Sequence, residues 1–235
     1  MNFIGNTELA EIHGLNQQNV DMHAHILPDF DDGSHDLKEM IEILKLMKKR
    51  GTDVLFWTPH LNLNPFPHIN QESIEAYYQQ YENLVHQEIG IKLFSGAELF
   101  YTPPLPKKLV SLGKSDFCLI EFPLDIYPRY LFEGIYNIQM AGYRVIMAHV
   151  ERYRWLFPKK KNFLRTKVDY SLVESLKNKN VYFQVNYTTL LNITEYPYML
   201  PLLNENKIEF IGSDKHWLTD KRSVIDFETL SKMEF

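Results

Sequence analysis

Parallel strands joined by crossover helices, an α/β fold, are what this sequence predicts, and three observations predict it. Strand-like and helix-like segments alternate about seven times along 235 residues, which is the rhythm of βα units. Several strand candidates are near-continuous apolar runs, such as Val54-Leu55-Phe56-Trp57 and Val145-Ile146-Met147-Ala148, as expected of strands buried on both faces. Six of the seven strand candidates end in His, Asp or Glu; in a closed (β/α) barrel those ends meet on one face, where active sites lie.

The first strand candidate, 19–25, ends in Asp21-Met22-His23-Ala24-His25 and runs into Asp31-Asp32-Gly33. A helix follows, because Leu37, Met40, Ile41, Leu44 and Met47 recur at helical spacing and Lys48-Lys49-Arg50 precedes Gly51 as a stop. Strand 53–60 ends in Thr58-Pro59-His60, and a helix over 72–88 stops at Gly90. Strand 91–99 ends in Gly96-Ala97-Glu98, and strand 117–123 in Glu121-Phe122-Pro123. A helix over 130–141, stopped by Gly142, leads into strand 144–151 and the run His149-Val150-Glu151-Arg152. Shorter helical patterns over 169–177 and 199–205 flank strand 181–187, and strand 208–216 ends in Ser213-Asp214-Lys215-His216. No repeat, low-complexity tract or linker interrupts the chain, so residues 1–235 read as one domain.

Composition narrows the function classes. Apolar residues make up 45% and charged residues 23%, enough to bury a core. No run approaches the ~20 apolar residues of a membrane span, and residues 1–19 lack the basic start and apolar stretch of a signal peptide. A cytoplasmic protein without membrane insertion is expected. The net charge of −5, with Lys and Arg scattered, argues against nucleic acid. A single cysteine, Cys118, leaves no internal disulfide and no thiolate zinc site.

The strand-end residues are individually weak signals. His23 and His25 lie on one side of a strand, as a metal pair needs, because side chains alternate with period 2. Asp31-Asp32-Gly33 alone is as readily a turn or helix cap, and Pro59 alone simply ends a ladder. Glu98 and Glu121 alone could be solvated strand ends. Asp214 and His216 repeat the period-2 spacing of the first pair. Together they point to a metal centre. Imidazoles and carboxylates without thiolate suit Mn, Zn or Fe, and ligand type does not choose among them. Clustered divalent ions generate hydroxide near neutral pH and clamp the attacking and leaving oxygens of a phosphoryl group. Arg152, three residues past His149, can fork onto two phosphate oxygens; the alternative is a surface pair with Glu151.

The ordered set His23-x-His25, Asp32-Gly33, Thr58-Pro59-His60, Gly96-Ala97-Glu98, Glu121-Phe122-Pro123, His149-x-Glu151-Arg152-Tyr153 and Ser213-Asp214-x-His216 resembles the PHP (polymerase and histidinol phosphatase) superfamily. Within it, His25-Ile26-Leu27-Pro28 before Asp31-Asp32-Gly33, and His149 before Glu151-Arg152-Tyr153, resemble the manganese-dependent tyrosine-protein phosphatases of bacterial capsule and exopolysaccharide clusters. The resemblance covers residues 19–217. It implies a distorted (β/α)7 barrel holding three Mn ions, with Zn or Fe as alternatives. It places His23, His25, Glu98 and Asp214 on one metal, with Glu98 bridging to a second that His149 binds. Asp32, His60, Glu121 and His216 complete the set. It also implies Arg152, His60 and Asp32 as catalytic residues and a phosphotyrosine protein as partner, the tyrosine-rich tail of a bacterial kinase. Two departures stand out: Leu61 occupies a position where many relatives have a second histidine, and Lys221 or Arg222 falls where some place a phosphate-binding arginine.

A phenol is a good leaving group, since tyrosine has a pKa of about 10, so no separate general acid is expected. Cysteine-based phosphatases use Cys-x5-Arg, but the residue six past Cys118 is Leu124, and Cys118 reads as a small buried hydrophobe. The segment from Arg152 to Lys167 is basic, either a solvated loop or a dock for an anionic tail. Phe66, Tyr101, Tyr127, Tyr130 and Tyr153 follow strands, where any could stack on a phosphotyrosine ring or pack the rim. The competing readings are a small-molecule phosphatase, such as one for histidinol phosphate, and a non-catalytic metal-stabilised binding module.

Overall fold

The computed structural model describes residues 3–16, 18–162 and 165–235. In chain order the elements are α1 (Ile4–Ile12), β1 (Val20–Ala24), α2 (Leu37–Lys49), β2 (Val54–Trp57), β3 (His60–Leu61), α3 (Gln71–Leu84), β4 (Lys92–Ser95), β5 (Glu98–Phe100), β6 (Phe117–Glu121), α4 (Leu131–Met140) and β7 (Arg144–Met147). Then come β8 (Lys159–Asn162), β9 (Arg165–Val168), α5 (Ser171–Lys177), β10 (Tyr182–Asn186), α6 (Tyr187–Leu191), α7 (Leu200–Asn204), β11 (Phe210–Gly212) and α8 (Phe227–Ser231). The strand order is β1-β2-β4 in one sheet and β11-β10-β7-β6-β5-β3 in a second. Every pairing in the two is parallel, as the apolar runs predict. A parallel bridge between Ala24 and Lys215 joins the sheets.

Two cores flank this curled sheet. Val20 and Met22, Val54 and Phe56, Phe117 and Leu119, Ile146 and Ala148 form one cluster with Phe210 and with Leu9 and Ala10 of α1. Residues two apart on a strand share a face, so the sheet wraps around this cluster. The opposite face carries the larger core, where α2 packs Met40, Ile43, Leu44 and Met47. The apolar face of α2 is rotated slightly from the sequence reading, with Leu37 exposed and Ile41 half-buried. Asp36 caps α2, accepting from the Glu39 amide at 2.8 Å.

Two neighbouring strand candidates are each broken. The reading of 53–60 as one strand is corrected to β2 and β3, interrupted at Thr58-Pro59, where proline supplies no N–H to the ladder. The reading of 91–99 is corrected to β4 and β5, interrupted at Gly96-Ala97; a Cβ on Gly96 would sit 2.7 Å from Leu112 Cδ2. Below the breaks β2 pairs β4, and above them His60 stands opposite Glu98 while β5 turns to pair β6. The helix expected over 72–88 is α3 followed by a π-helical turn, Val85–Ile89. The basic segment contains the antiparallel hairpin β8–β9, and its residues 163–164 lie outside the described residues. Among the described residues no helix is long and apolar enough to cross a membrane.

Candidate metal centre

The register of β1 on β2 shifts between Asp21 and Ala24, and His23 and His25, two residues apart, lie on the same side of the chain. His23 Nδ1 lies 3.2 Å from Gln184 Oε1, which also accepts the His149 backbone N–H at 2.6 Å. That oxygen can only accept, so His23 carries its proton on Nδ1. His25 is oriented the same way, with Nδ1 2.7 Å from Asp31 Oδ2. In their neutral forms the two rings would present Nε2 lone pairs to each other at 3.1 Å, a contact relieved by a proton or a metal ion between them. Glu98 Oε1 and Asp214 Oδ1 lie 3.7 and 3.6 Å from His23 Nε2, and Glu98 Oε2 is 3.4 Å from His25 Nε2. Lone pairs and carboxylates facing one another in a buried space need a cation among them.

The strand breaks bring in the next residues. His60, opposite Glu98, has Nδ1 3.0 Å from Glu98 Oε2 and Nε2 3.3 Å from Asp32 Oδ1. His216 Nε2 reaches the same Asp32 oxygen at 3.2 Å, while its Nδ1 lies 2.9 Å from the Asp214 carbonyl. His149 Nε2 lies 2.7 Å from Glu98 Oε1 and 3.6 Å from Glu121 Oε1. Glu98 therefore sits at the hub, between His23, His25, His60 and His149. His149 and Asp214 both hold positive φ, 31° and 52°, an uncommon conformation for residues other than glycine that tertiary structure must enforce. Gly33 keeps the loop after β1 closed, since a Cβ there would fall 1.9 Å from the His25 carbonyl oxygen.

All nine residues expected from sequence to bind metal meet here. Three groups of ligand atoms, each with members within 4.8 Å of one another, could hold ions: His25-Asp32-His60-His216, His23-His25-Asp214 and His60-Glu98-Glu121. The electrostatics favour cations. Burial works against charging His25, but Asp31 and Glu98 lift it to about 9. Burial likewise opposes ionisation of Glu98 and Asp214, yet His23 beside each holds both below the usual carboxylate range. Glu121 is pushed up to about 8 by burial and by the charge of Glu98.

Arg152 also reaches the site. Its Nη1 is 3.7 Å from Asp214 Oδ2, not paired with Glu151, which is buried and accepts from the Asn186 amide and the Thr189 hydroxyl at 3.0 Å each. Of the two basic candidates after His216, Arg222 is the one that arrives, with Nε 3.0 Å from Asp214 Oδ2. The aromatic expectations divide. Tyr101 and Tyr153 are buried, the latter accepting the Phe122 amide, so neither is free to stack on a substrate. Phe66 lies parallel to His60 with ring centroids 6.0 Å apart, and Tyr127 packs on Trp155.

Several residues of the site carried no local signal. Asp31 orients His25 and accepts the His60 amide at 3.0 Å. Gln184 and Asn186 alternate on β10, and Asn186 Nδ2 donates to Asp214 Oδ2 at 2.8 Å. Lys215 is buried and donates to the carbonyls of Arg222 at 2.7 Å, Asp220 at 3.0 Å and Leu218 at 3.3 Å, fixing the loop that delivers Arg222. Asp31 is visible in the sequence only as part of Asp31-Asp32-Gly33, with no role of its own, and Gln184 and Asn186 only through their period-2 spacing.

An α/β protein with a multi-ion candidate centre at the C-terminal ends of its parallel strands is the class that fold and site define. The chain belongs to the capsular polysaccharide synthesis CpsB/CapC family, whose model matches residues 19–228. It is 29% identical over 205 residues to the tyrosine-protein phosphatase YwqE of Bacillus subtilis, covering 84% of this chain and 77% of that protein. It is 28% identical over 213 residues to the putative tyrosine-protein phosphatase CapC of Staphylococcus aureus, covering 86% and 78%. A solved structure described as that of the unique metal-dependent tyrosine phosphatases YwqE from Bacillus subtilis and CpsB from Streptococcus pneumoniae superposes with a TM-score of 0.72 and 26% identity, over 91% of this chain and 87% of that one.

Proposed function

We propose that this chain is a metal-dependent protein-tyrosine phosphatase that hydrolyses phosphotyrosine on a partner protein. The observation that carries the reading is the convergence of His23, His25, His60 and His216 with Asp32, Glu98, Glu121 and Asp214 in three overlapping groups, with His149 against Glu98 and Glu121 beside them. The parallel pairings, the Ala24–Lys215 bridge and the split strands support reading the sheets as one distorted (β/α)7 barrel, with residues 1–235 as a single domain. His23, His25, Glu98 and Asp214 would hold one ion, Glu98 with His149 and Glu121 a second, and Asp32, His60 and His216 a third. Mn is the expected metal, with Zn or Fe as alternatives.

Divalent ions there supply Lewis-acid activation of water and neutralise charge on the phosphoryl group. Arg152 and Arg222 approach the same Asp214 oxygen and offer guanidinium donors to the non-bridging oxygens. His60 and Asp32 stand beside each other at the open side of the cluster, where they orient the attacking water. Gln184 and Asp31 hold the Nδ1 sides of His23 and His25, which would leave both Nε2 atoms free to bind an ion. The phenolate leaves without a dedicated acid. A kinase tail of a polysaccharide-export system, met in the cytoplasm, is the partner that capsule-family membership favours.

The test compares a phosphotyrosine peptide, p-nitrophenyl phosphate and histidinol phosphate, each with Mn and with chelator. Turnover of the first two that is lost on chelation supports the reading. Preference for histidinol phosphate makes this a small-molecule phosphatase, and no turnover of any of the three makes it a binding module.

A further inference from the structure

The hairpin β8–β9 and the groove beneath it are used by nothing in the chemistry above. A cavity of about 820 Å³ runs from Tyr153 and Arg154 under Lys159 and Lys167 to Tyr170 and Tyr198. Its floor is rigid. Phe157 packs on Tyr198 with ring centroids 4.8 Å apart, Tyr170 donates to the Tyr198 carbonyl at 2.9 Å, and Tyr198 donates to the Glu151 carbonyl at 2.8 Å. Its lining starts at Tyr153, the residue after Arg152 in the chain.

Charge sets the groove apart from the rest of the surface. The chain carries a net charge of −5, yet residues 152–167 hold seven basic side chains and no acid. Lys160 pairs with Asp169 at 2.6 Å. Arg154, Lys159, Lys161 and Lys167 form no ion pair among the described residues, and all four are exposed. One acid, Glu195, lines the cavity against them. Holding like charges side by side on two paired strands is unfavourable without a counter-charge.

We infer that this groove binds an acidic polypeptide segment flanking the phosphotyrosine of a protein substrate, which places the residues that select the substrate on the hairpin and leaves the chemistry to the strand ends. The inference rests on the phosphatase reading. An aromatic- and proline-lined trough suits an extended chain, whose alternate side chains can lie on the rings while its carboxylates or further phosphates meet Arg154, Lys159 and Lys167. Lys107 and Lys108 line a separate cavity of about 770 Å³, together with Phe66 and Asn70, and provide a matched control.

The experiment uses the intact chain with Mn and three substrates: p-nitrophenyl phosphate, a phosphotyrosine peptide with neutral flanks, and one with acidic flanks. If p-nitrophenyl phosphate is not hydrolysed, the phosphatase reading itself fails. Where it is hydrolysed, the acidic-flank peptide should show the lowest KM. The triple variant Lys159→Gln/Lys161→Gln/Lys167→Gln should raise that KM about tenfold, three exposed charges each contributing modestly. Its kcat, and both parameters for p-nitrophenyl phosphate, should stay within about twofold, and the KM difference should shrink as salt shortens the screening length from ~10 Å at 0.1 M to ~3 Å at 1 M. Lys107→Gln/Lys108→Gln should leave the acidic-flank preference intact. Equal KM for the two peptides, an equal loss in the control variant, or loss of binding to anionic lipid vesicles in place of a peptide effect would each overturn the inference.

Discussion

The two ends of the parallel sheet are built from opposite materials. At the N-terminal end, α1 lies across β1 and β11, and its polar contacts are complete. Asn6 donates to the Val20 and Ile211 carbonyls at 2.7 and 3.0 Å and accepts the Ile211 amide at 2.8 Å. Beside it Phe210 is wholly buried in the cluster that the sheet wraps. At the C-terminal end, imidazole lone pairs oppose one another, carboxylates crowd together, and two residues hold left-handed backbone. At one end the chain supplies its own partners for Asn6, whereas at the other the side chains form groups that could hold ions. Stability and chemistry are thus separated along the strand axis, the division expected of barrel-like α/β folds.

The sharpest way to break this comparison is to remove a residue from the crowded end. His23→Ala or Asp214→Ala should abolish turnover and lower the metal retained by the purified protein, measured by elemental analysis, while the melting temperature without metal holds or rises. Full activity with full metal content in either variant would defeat the site assignment. The converse change is Phe210→Ala, which should cost about 3–5 kcal/mol of stability while the folded fraction keeps wild-type metal content and KM. Chemical denaturation paired with kinetics reads both.

Arg152→Ala gives a smaller effect confined to catalysis. Loss of about 2–4 kcal/mol of transition-state stabilisation should appear equally with p-nitrophenyl phosphate and with phosphopeptide, since both present the same phosphoryl oxygens. A loss confined to peptide would move Arg152 from the phosphate to the docking groove. The smallest effect belongs to Cys118, which is buried on β6 with its thiol pushed up to about 12 by burial and by Asp116. Cys118→Ser should change kcat by less than tenfold, under about 1.4 kcal/mol. At pH 8 only roughly one thiol in ten thousand is ionised at that pKa, so iodoacetamide should label the native protein far more slowly than the unfolded chain. The folded state holds this proton more tightly than the unfolded one. Its stabilising contribution is therefore complete below pH 9 and declines as pH rises from 9 towards 12.

Sequence disclosed the crowded end better than the satisfied one. Residues that end buried strands in His, Asp or Glu break the apolar pattern, and that breach is visible without a structure. Parallel strands also announce themselves, because burial on both faces leaves runs such as Val54 to Trp57 with no polar member. Helix α1 carried no comparable mark. It buries Gly5, Asn6, Leu9 and Ala10, and what anchors it is the fit of Asn6 between two strands far apart in sequence. The hairpin β8–β9 was hidden for a related reason, as lysine-rich runs have little intrinsic strand preference. Gln184 and Lys215 act only through partners that folding supplies, and the Asp31-Asp32-Gly33 run does not show that Asp31 would orient His25.

The paired breaks at Thr58-Pro59 and Gly96-Ala97 divide the sheet into a lower body and an upper collar that pair independently, Val54 to Lys92 below and His60 to Glu98 above. The spacing of two central residues of the site is therefore set by a short ladder of its own. Adding or deleting one residue at either break would slip the collar by one position while the body kept its register, carrying His60 or Glu98 to the opposite face of the sheet. Site geometry and folding core could in this way be varied separately, by insertion at the breaks.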